Sequence, residues 1–259
     1  MAVQVVVAAV LGLLVGSFLN VVVHRVPRGE SVVRPPSRCP DCGQEIRARH
    51  NVPVLGWLVL RGRCAACGRR ISVRYPLVEL GTAVLFTLLA LRFGLPDLPA
   101  FLYFGAIGIA LALIDLDCRR LPDAIVLPSY PVLAALLTAS AWWRDDWWSL
   151  ARAGIGGAAL FAFYLVLALV HPAGMGFGDV KLAGLLGGVL GYLSWTALLL
   201  GAFGGFLLGA VAGVVVLAAG KGGRKTALPF GPFMIAGALL AIFFADPLGQ
   251  AYLRLTGLA

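Results

Sequence analysis

The sequence predicts an all-α membrane protein that crosses the bilayer several times, because long apolar segments alternate with short polar loops. Hydrophobic residues make up 60% of the 259-residue chain and charged residues only 13%, whereas soluble globular proteins carry roughly 25% charged residues. A helix needs about 20 apolar residues to cross the hydrocarbon core. About eight segments are predicted to be transmembrane helices: 2–23, 77–95, 98–116, 122–143, 148–170, 179–194, 196–219 and 229–245.

Three of these segments have distinctive features. The first apolar run is too long for a signal-peptide core and has no basic residues before it, so we expect a retained helix. The sixth segment, 179–194, is short and rich in glycine, which predicts a tilted or half-spanning helix. Paired tryptophans at 142–143 and 147–148 surround the turn before the fifth segment and predict an interfacial aromatic belt.

The basic residues predict the orientation of the segments. Of the 21 Lys and Arg residues, 11 fall between His24 and Pro76, so the net charge of +9 is concentrated in one loop and does not indicate nucleic-acid binding. Basic loops stay in the cytoplasm, which places 24–76 inside. Alternation then puts 17 of the 21 basic residues inside, both termini outside, and the loops next to Asp115 and Asp179 at the cytoplasmic face.

Two aspartates at the ends of apolar segments are the main candidates for chemistry. Asp115 closes the run 110–114, and Asp179 follows the glycine-rich stretch 174–178. A carboxylate within or beside a membrane segment is unfavourable, so it indicates a functional site with a partner. Either residue alone can be an ordinary interfacial charge, but two on separate segments predict a catalytic pair.

Other polar residues near these segments have structural explanations that compete with chemical ones. Asp117 is expected to be an exposed loop carboxylate or to tune the pair electrostatically, and Asp123 to cap or start the next helix. Lys181 either marks the cytoplasmic interface or acts on a neighbouring carboxylate. For Asn20, His24 and Glu79, a hydrogen bond in helix packing is favoured over chemistry.

Four cysteines in the loop 24–76 predict a zinc site. Two C-x-x-C pairs, Cys39/Cys42 and Cys64/Cys67, are separated by 21 residues, and Gly43 and Gly68 follow them directly. Two such pairs present four thiolates, which suits tetrahedral zinc in a closed, structural site. Two disulfides are the alternative, although a reducing cytoplasm disfavours them. Cys118 stands apart and is predicted to be a free thiol.

Six ordered motifs together resemble the bacterial type IV prepilin peptidases, which combine leader peptidase and N-methyltransferase activities. The motifs are 12–25, the two C-x-x-C pairs, 74–79, 114–117 with 121–123, 174–181 and 229–232. The resemblance implies that Asp115 and Asp179 are the two catalytic aspartates of an intramembrane-type aspartic protease, the second within a G-x-G-D motif. Gly176 and Gly178 would let backbone approach the substrate and would give the turn before Asp179 freedom to move.

By the same resemblance, the enzyme cuts the basic leader of prepilins or pseudopilins after a glycine and methylates the new N-terminal residue with S-adenosylmethionine. The residues themselves do not indicate the methyl-donor site, because the chain has no G-x-G-x-x-G loop. Gly62, just before the second C-x-x-C pair, is a weak candidate for the cofactor loop. A peptidase without methylation is the alternative function.

The expected organisation is a first transmembrane helix at 1–23, a cytoplasmic zinc-binding loop domain at 24–76 and a transmembrane peptidase core at 77–259. The expected location is the bacterial inner membrane, with the active site facing the cytoplasm. Two functions from other classes compete with the peptidase: a non-enzymatic zinc-ribbon assembly factor, and a transporter with broken helices. Neither of them predicts two aspartates at one face within these motifs.

Overall fold

The computed structural model describes residues 1–171, 175–220 and 228–256, apart from the side chains of residues 252 and 253. These residues are mainly helical, and two isolated bridges are the extended pairings among them. The α-helices are α1 (Ala2–Arg25), α2 (Leu55–Val59), α3 (Arg74–Arg92), α4 (Leu98–Cys118), α5 (Asp123–Arg144), α6 (Trp147–Val170), α7 (Phe177–Leu193), α8 (Trp195–Ala218) and α9 (Gly231–Thr256). Short 3-10 turns occupy Val26–Arg28 and Ala48–His50.

Each of the eight predicted segments is a helix, which confirms the predicted fold class. Seven helices in the described part of the chain are long and apolar enough to cross a membrane. The remaining helix, α7, corresponds to the sixth predicted segment and has 17 residues, of which 11 are buried. It is about 26 Å long against a hydrocarbon core of about 30 Å, and neighbouring helices enclose it. The chain is therefore a multi-pass membrane protein in which the shortest predicted segment is a buried helix.

The chain divides into two compact units, Met1–Ala110 and Leu111–Ala259, with the boundary inside α4. In the first unit, α1 packs closely against α3. A Cβ atom added at Gly12 would lie 2.6 Å from Ala83 Cα, and one added at Gly16 would lie 2.7 Å from Glu79 Cα. Small residues four apart permit this approach of two helix backbones in lipid. The Asn20 amide also donates to Tyr75 O at 3.2 Å, which is the expected packing bond.

In the second unit, α7 packs against α6 through glycines on both helices. Gly156 lies directly against Gly187, and a Cβ atom added at Gly191 would lie 3.3 Å from Gly156 Cα. The Arg152 side chain of α6 then caps the end of α7, because it donates to Gly191 O at 2.7 Å, to Tyr192 O at 2.7 Å and to Leu193 O at 2.9 Å. A cation at a helix C-terminus satisfies the last carbonyls and interacts favourably with the helix dipole.

The turn between α5 and α6 is set by two aspartates. Asp145 adopts a left-handed conformation at the end of α5, and Asp146 accepts the Ser149 N–H at 3.1 Å as the N-cap of α6. Hydrogen bonds from the Ser149 hydroxyl and backbone lower the pKa of Asp146. The four tryptophans around this turn are exposed, as a membrane-interface belt requires.

Candidate active site and metal centre

Asp115 lies in the last turn of α4 and is held by the beginning of α9. Its side chain is 5% exposed, and Asp115 Oδ2 accepts the Gly231 N–H at 3.0 Å. Gly231 is the first residue of α9, so the carboxylate lies at the positive end of a helix dipole, where negative charge is stabilised. A Cβ atom added at Gly231 would lie 2.8 Å from Asp115 Oδ2. The carboxylate therefore occupies the space that any other residue at position 231 would fill.

Asp179 is placed by the first turn of α7. Its Oδ2 atom accepts the N–H of Gly176, the N-cap residue, at 3.2 Å. The side chain is only partly exposed, and the positive end of a helix dipole is again close to a carboxylate. Two helix N-termini, those of α7 and α9, thus each provide one backbone N–H for one of the two candidate carboxylates.

Leu121 connects the surroundings of the two aspartates within the second unit. Its Cβ atom would lie 3.1 Å from a Cβ added at Gly178, which precedes Asp179. Its Cδ2 atom would lie 3.2 Å from a Cβ added at Gly231. The two carboxylates are also close enough to interact electrostatically. The structure therefore brings the two predicted aspartates together, although 63 residues separate them along the chain.

The structure gives the two motif glycines ordinary backbone surroundings, and their predicted roles in substrate approach and in movement of the turn stay predictions. Gly176 has φ −77° and ψ 147°, an extended conformation that most residues adopt. Gly178 has a packing role instead, because a side chain there would press on Leu121. Gly174, the first glycine of the motif, lies outside the described residues.

Lys181 and Asp123 form an ion pair near the catalytic candidates. Lys181 Nζ lies 2.7 Å from Asp123 Oδ1 and 2.8 Å from Asp123 Oδ2, and it also lies over the Phe177 ring at 5.0 Å. The Tyr130 hydroxyl donates to Lys181 O at 2.6 Å. Because Asp123 is the first residue of α5, as predicted, this pair joins the beginning of α5 to the beginning of α7.

Asp117 is exposed, as expected, but it does not lie in a loop. The helix α4 continues to Cys118, so Asp117 belongs to the same last turn as Asp115. Residues two apart point to different sides of a helix. This explains why Asp115 is buried at the candidate site while Asp117 faces outward.

An aromatic cluster lies beside the carboxylates. Tyr164 of α6 is 1% exposed and stacks on Phe206, with ring centroids 5.4 Å apart. Phe206 in turn lies 5.3 Å from Phe230, the residue before Gly231. Tyr164 is within electrostatic range of Asp179. These rings form an apolar cluster that reaches the beginning of α9, where Gly231 binds Asp115.

Sequence reasoning did not assign a role to Gly231, Leu121 or Arg152. Gly231 stands in the motif 229–232, and that motif was the signal that pointed to it. Leu121 stands in the motif 121–123, but no local pattern encodes its contacts, or those of Arg152, with residues about 40 to 110 positions away.

In the first unit, the four predicted cysteines meet in one cluster. Their sulfur atoms all lie within 4.8 Å of one another, and Cys39 Sγ is 3.9 Å from Cys67 Sγ. None of the described cysteines forms a disulfide, so the disulfide alternative is not the arrangement found. The cluster can hold one metal ion. Cys118 is an exposed free thiol on α4 and does not belong to it.

Two matching turns shape the cysteine cluster. Gly43 N–H donates to Cys39 O and Gly68 N–H donates to Cys64 O, both at 2.9 Å. Gly43 and Gly68 have φ values of 71° and 70°, which glycine adopts without strain. Both turns thus need the glycine that follows each C-x-x-C pair.

The sulfur positions fit tetrahedral zinc. Zn–S bonds of about 2.3 Å place the sulfurs of a tetrahedral site about 3.8 Å apart, close to the 3.9 Å between Cys39 and Cys67. Backbone hydrogen bonds from Cys67 and Ala66 lower the pKa of the Cys64 thiol to about 7. The Arg69 N–H favours the Cys67 thiolate, but desolvation and the neighbouring sulfurs outweigh it and raise the pKa of Cys67 to about 12.

Gly62 has a structural reason to be glycine. Its φ is 66°, and a Cβ atom there would lie 2.8 Å from the Trp57 ring. Trp57 Nε1 donates to Ile71 O at 3.2 Å, which fixes the ring over Gly62. The predicted role of Gly62 in methyl-donor binding stays a prediction.

Comparisons with known proteins agree with the motifs. Residues 10–93 match the model of the bacterial peptidase A24 N-terminal domain, and residues 102–218 match that of the type IV leader peptidase family. A prepilin leader peptidase/N-methyltransferase of Pseudomonas putida is 39% identical over 274 residues, which cover 96% of this chain and 94% of the relative.

Relatives with the same name occur in other bacteria. The protein of Stutzerimonas stutzeri is 36% identical over 281 residues, covering 95% of this chain and 93% of the relative. That of Bacillus subtilis (strain 168) is 34% identical over 248 residues, covering 95% and 96%. No solved structure matches the chain. On the family models and these near full-length relatives, the chain belongs to the type IV leader peptidase family.

Proposed function

We propose that this chain removes the basic leader peptide of type IV prepilins or pseudopilins and then methylates the new N-terminal amine. The observation that carries the peptidase half is the pairing of Asp115 and Asp179, each bound by a backbone N–H at a helix N-terminus. The relatives named above are prepilin leader peptidase/N-methyltransferases, and they support both halves.

Asp115 and Asp179 act together as the catalytic pair. Two neighbouring carboxylates cannot both ionise cheaply, so one keeps its proton. The ionised aspartate takes a proton from a water molecule, and the oxygen of that water attacks the scissile carbonyl. The protonated aspartate polarises the carbonyl oxygen and donates its proton as negative charge develops there. The proton belongs to the pair, and no fixed acid or base is assigned.

The surrounding residues orient this pair. Gly231 and Gly176 hold one oxygen of each carboxylate, so the remaining oxygens are available to water and substrate. The ion pair of Lys181 with Asp123 fixes α7 against α5. A pre-organised arrangement lowers the reorganisation needed during the reaction.

The four-cysteine cluster is proposed to bind structural zinc. Four thiolates complete a tetrahedral coordination shell and leave no position for substrate or water. Zinc would stabilise the loop domain at 24–76, which contains few buried apolar residues of its own. The first helix at 1–23 and the peptidase core at 77–259 complete the proposed organisation.

The methyl donor is proposed to be S-adenosylmethionine, which supplies an activated methyl group. The described residues do not identify its pocket, and the chain has no dinucleotide-type glycine loop. What supports methylation is the name of the relatives and the match of residues 10–93 to the N-terminal domain of the bacterial family.

The basic loop supports a location in the bacterial inner membrane with the active site at the cytoplasmic face. Eleven of 21 Lys and Arg residues lie in 24–76, and basic loops stay in the cytoplasm. The substrate would therefore meet the enzyme before its basic leader crosses the membrane.

Intact mass measurement tests both halves of the proposal. Purified full-length protein in detergent is incubated with a prepilin, with and without S-adenosylmethionine. We expect loss of the leader in both reactions and an added methyl group only with the donor. Cleavage without methylation would support the peptidase-only alternative. An unchanged prepilin in both reactions would favour the non-enzymatic assembly factor.

A further inference from the structure

Glu79 is a buried carboxylate of the first unit that leader cleavage, as proposed above, does not use. It lies in the second turn of α3 and is 8% exposed. Glu79 Oε2 accepts the Val54 N–H at 2.7 Å. This neutral N–H is the partner that the structure gives the Glu79 side chain, and neither ion pair described for the chain, Arg69 with Asp41 or Lys181 with Asp123, involves Glu79. The hydrogen bond found for this carboxylate thus comes from the loop before α2.

Val54 holds an unusual backbone conformation at this contact. Its φ is 60° and its ψ is −51°, a region that β-branched residues rarely adopt. Such residues persist only where the surrounding structure fixes them, and they concentrate at functional sites. The structure thus holds a strained loop residue so that its N–H points at Glu79.

Close packing keeps Glu79 from moving away from this position. Its Cα atom would lie 2.7 Å from a Cβ atom added at Gly16 of α1. One turn earlier, Asn20 of α1 binds the Tyr75 carbonyl of α3. A largely dehydrated carboxylate with one neutral partner is unfavourable by itself. It is complementary to a cation that brings hydrogen-bond donors of its own.

We infer that Glu79 binds the freed N-terminal amine of the processed substrate during methylation, an inference that rests on the proposed function. A primary ammonium carries three donors and one positive charge, which complement the Glu79 carboxylate, of which Val54 engages one oxygen, Oε2. Methyl transfer requires a neutral amine nitrogen. The ammonium gives one proton to the Glu79 carboxylate and becomes the free amine. The amine nitrogen would then form a bond to the methyl carbon of the donor while the bond from that carbon to the donor's sulfonium sulfur breaks, so that a methylated ammonium and a neutral thioether result. The Glu79 carboxylic acid later returns its proton to solvent.

The test uses Glu79→Gln, because glutamine keeps an oxygen that accepts the Val54 N–H but loses the charge. Thr82→Val is the matched control: Thr82 is buried one turn further along α3, where its hydroxyl donates to Val78 O. Full-length variants are purified in detergent. Binding is measured without methyl donor, using a synthetic peptide that begins at the mature substrate N-terminus, with its amine either free or acetylated.

The wild type should bind the free-amine peptide about 10- to 100-fold more tightly than the acetylated peptide, as expected for a hydrogen bond to a charged group. Glu79→Gln should lose this preference and most methylation while keeping leader cleavage, and Thr82→Val should keep all three. If Glu79→Gln still binds the free-amine peptide more tightly than the acetylated peptide, to the same degree as the wild type, the inference is overturned. Glu79 would then only support the loop. Loss of cleavage in Glu79→Gln would overturn it too, by assigning Glu79 to substrate recruitment or folding. Failure of the wild type to methylate would refute the proposed function instead, and the peptide measurement would still decide the role of Glu79.

Discussion

The substitution Gly231→Ala should impair leader cleavage by displacing Asp115 without harming the helix that carries position 231. The added Cβ atom would lie 2.8 Å from Asp115 Oδ2 and 3.2 Å from Leu121 Cδ2. Ordinary contacts begin near 3.4 Å, so the carboxylate must retreat by about 0.6 Å or give up its hydrogen bond. Alanine itself is favourable in a helix.

The size of the effect follows from this displacement. Misplacement of a reacting group by about 1 Å can reduce the rate about 100-fold, and a hydrogen bond to a charged group contributes about 1.5–3 kcal/mol. We therefore expect the rate of cleavage to fall about 10- to 100-fold. The rate is measured by intact mass of a prepilin at several times, with enzyme and substrate held at fixed concentrations in detergent.

Gly154→Ala provides the matched control. Gly154 lies in α6, and a Cβ atom added there would meet nothing within 4 Å. Its cleavage rate should equal that of the wild type. Its free energy of unfolding should be higher by about 0.5–1 kcal/mol, because alanine is more favourable than glycine within a helix. If Gly231→Ala accumulates normally and cleaves within about twofold of the wild type, then Asp115 is not the residue that Gly231 positions for reaction.

The other predictions concern the metal centre and the contacts of α7. Replacing all four cluster cysteines by serine should remove about one zinc per chain by metal analysis, whereas Cys118→Ser should leave the metal content unchanged; a metal-free wild type would contradict this. In stably accumulating protein, the same four substitutions should reduce methylation more than cleavage, and equal loss of both would mean that the loop supports the whole fold. Lys181→Met should remove the ion pair with Asp123, whose carboxylate is exposed while Lys181 is partly covered. It should lower the cleavage rate by less than about tenfold, since ion pairs open to solvent contribute about 0–1 kcal/mol; abolished cleavage would assign Lys181 to the chemistry. Gly178→Ala should press on Leu121 and slow cleavage, and an unchanged rate would show that this packing does not position Asp179.

The sequence predicted the helices well because the membrane imposes a simple requirement on length and polarity. The eighth segment differs most: it was expected to end at 245, before Asp246 and Pro247, but α9 runs to Thr256 with Pro247 inside it. Proline removes one backbone donor and disfavours a helix interior. The surrounding helix nonetheless continues, so a local breaker did not decide the end of this element.

The metal centre was also predictable, because each C-x-x-C pair and its glycine form one local turn. The contacts around the aspartates were predictable only in part. The motifs pointed to Asp115 and Asp179, but the N–H of Gly231 reaches Asp115 from 116 residues away. Similarly, the bond between Glu79 and Val54 depends on how the loop folds against α3. Such pairings arise from tertiary packing, which local periodicity does not encode.

The role of the two aspartates is tested most directly by comparing three single substitutions in one cleavage assay. Asp115→Asn and Asp179→Asn keep the size of each side chain but remove its ionisable group, while Asp117→Asn does the same to the exposed neighbour on the last turn of α4. Intact mass of a prepilin after incubation should show no leader removal with the first two variants and nearly normal removal with the third, at equal amounts of membrane-inserted enzyme. Near wild-type cleavage by either Asp115→Asn or Asp179→Asn would contradict the assignment of that aspartate to catalysis.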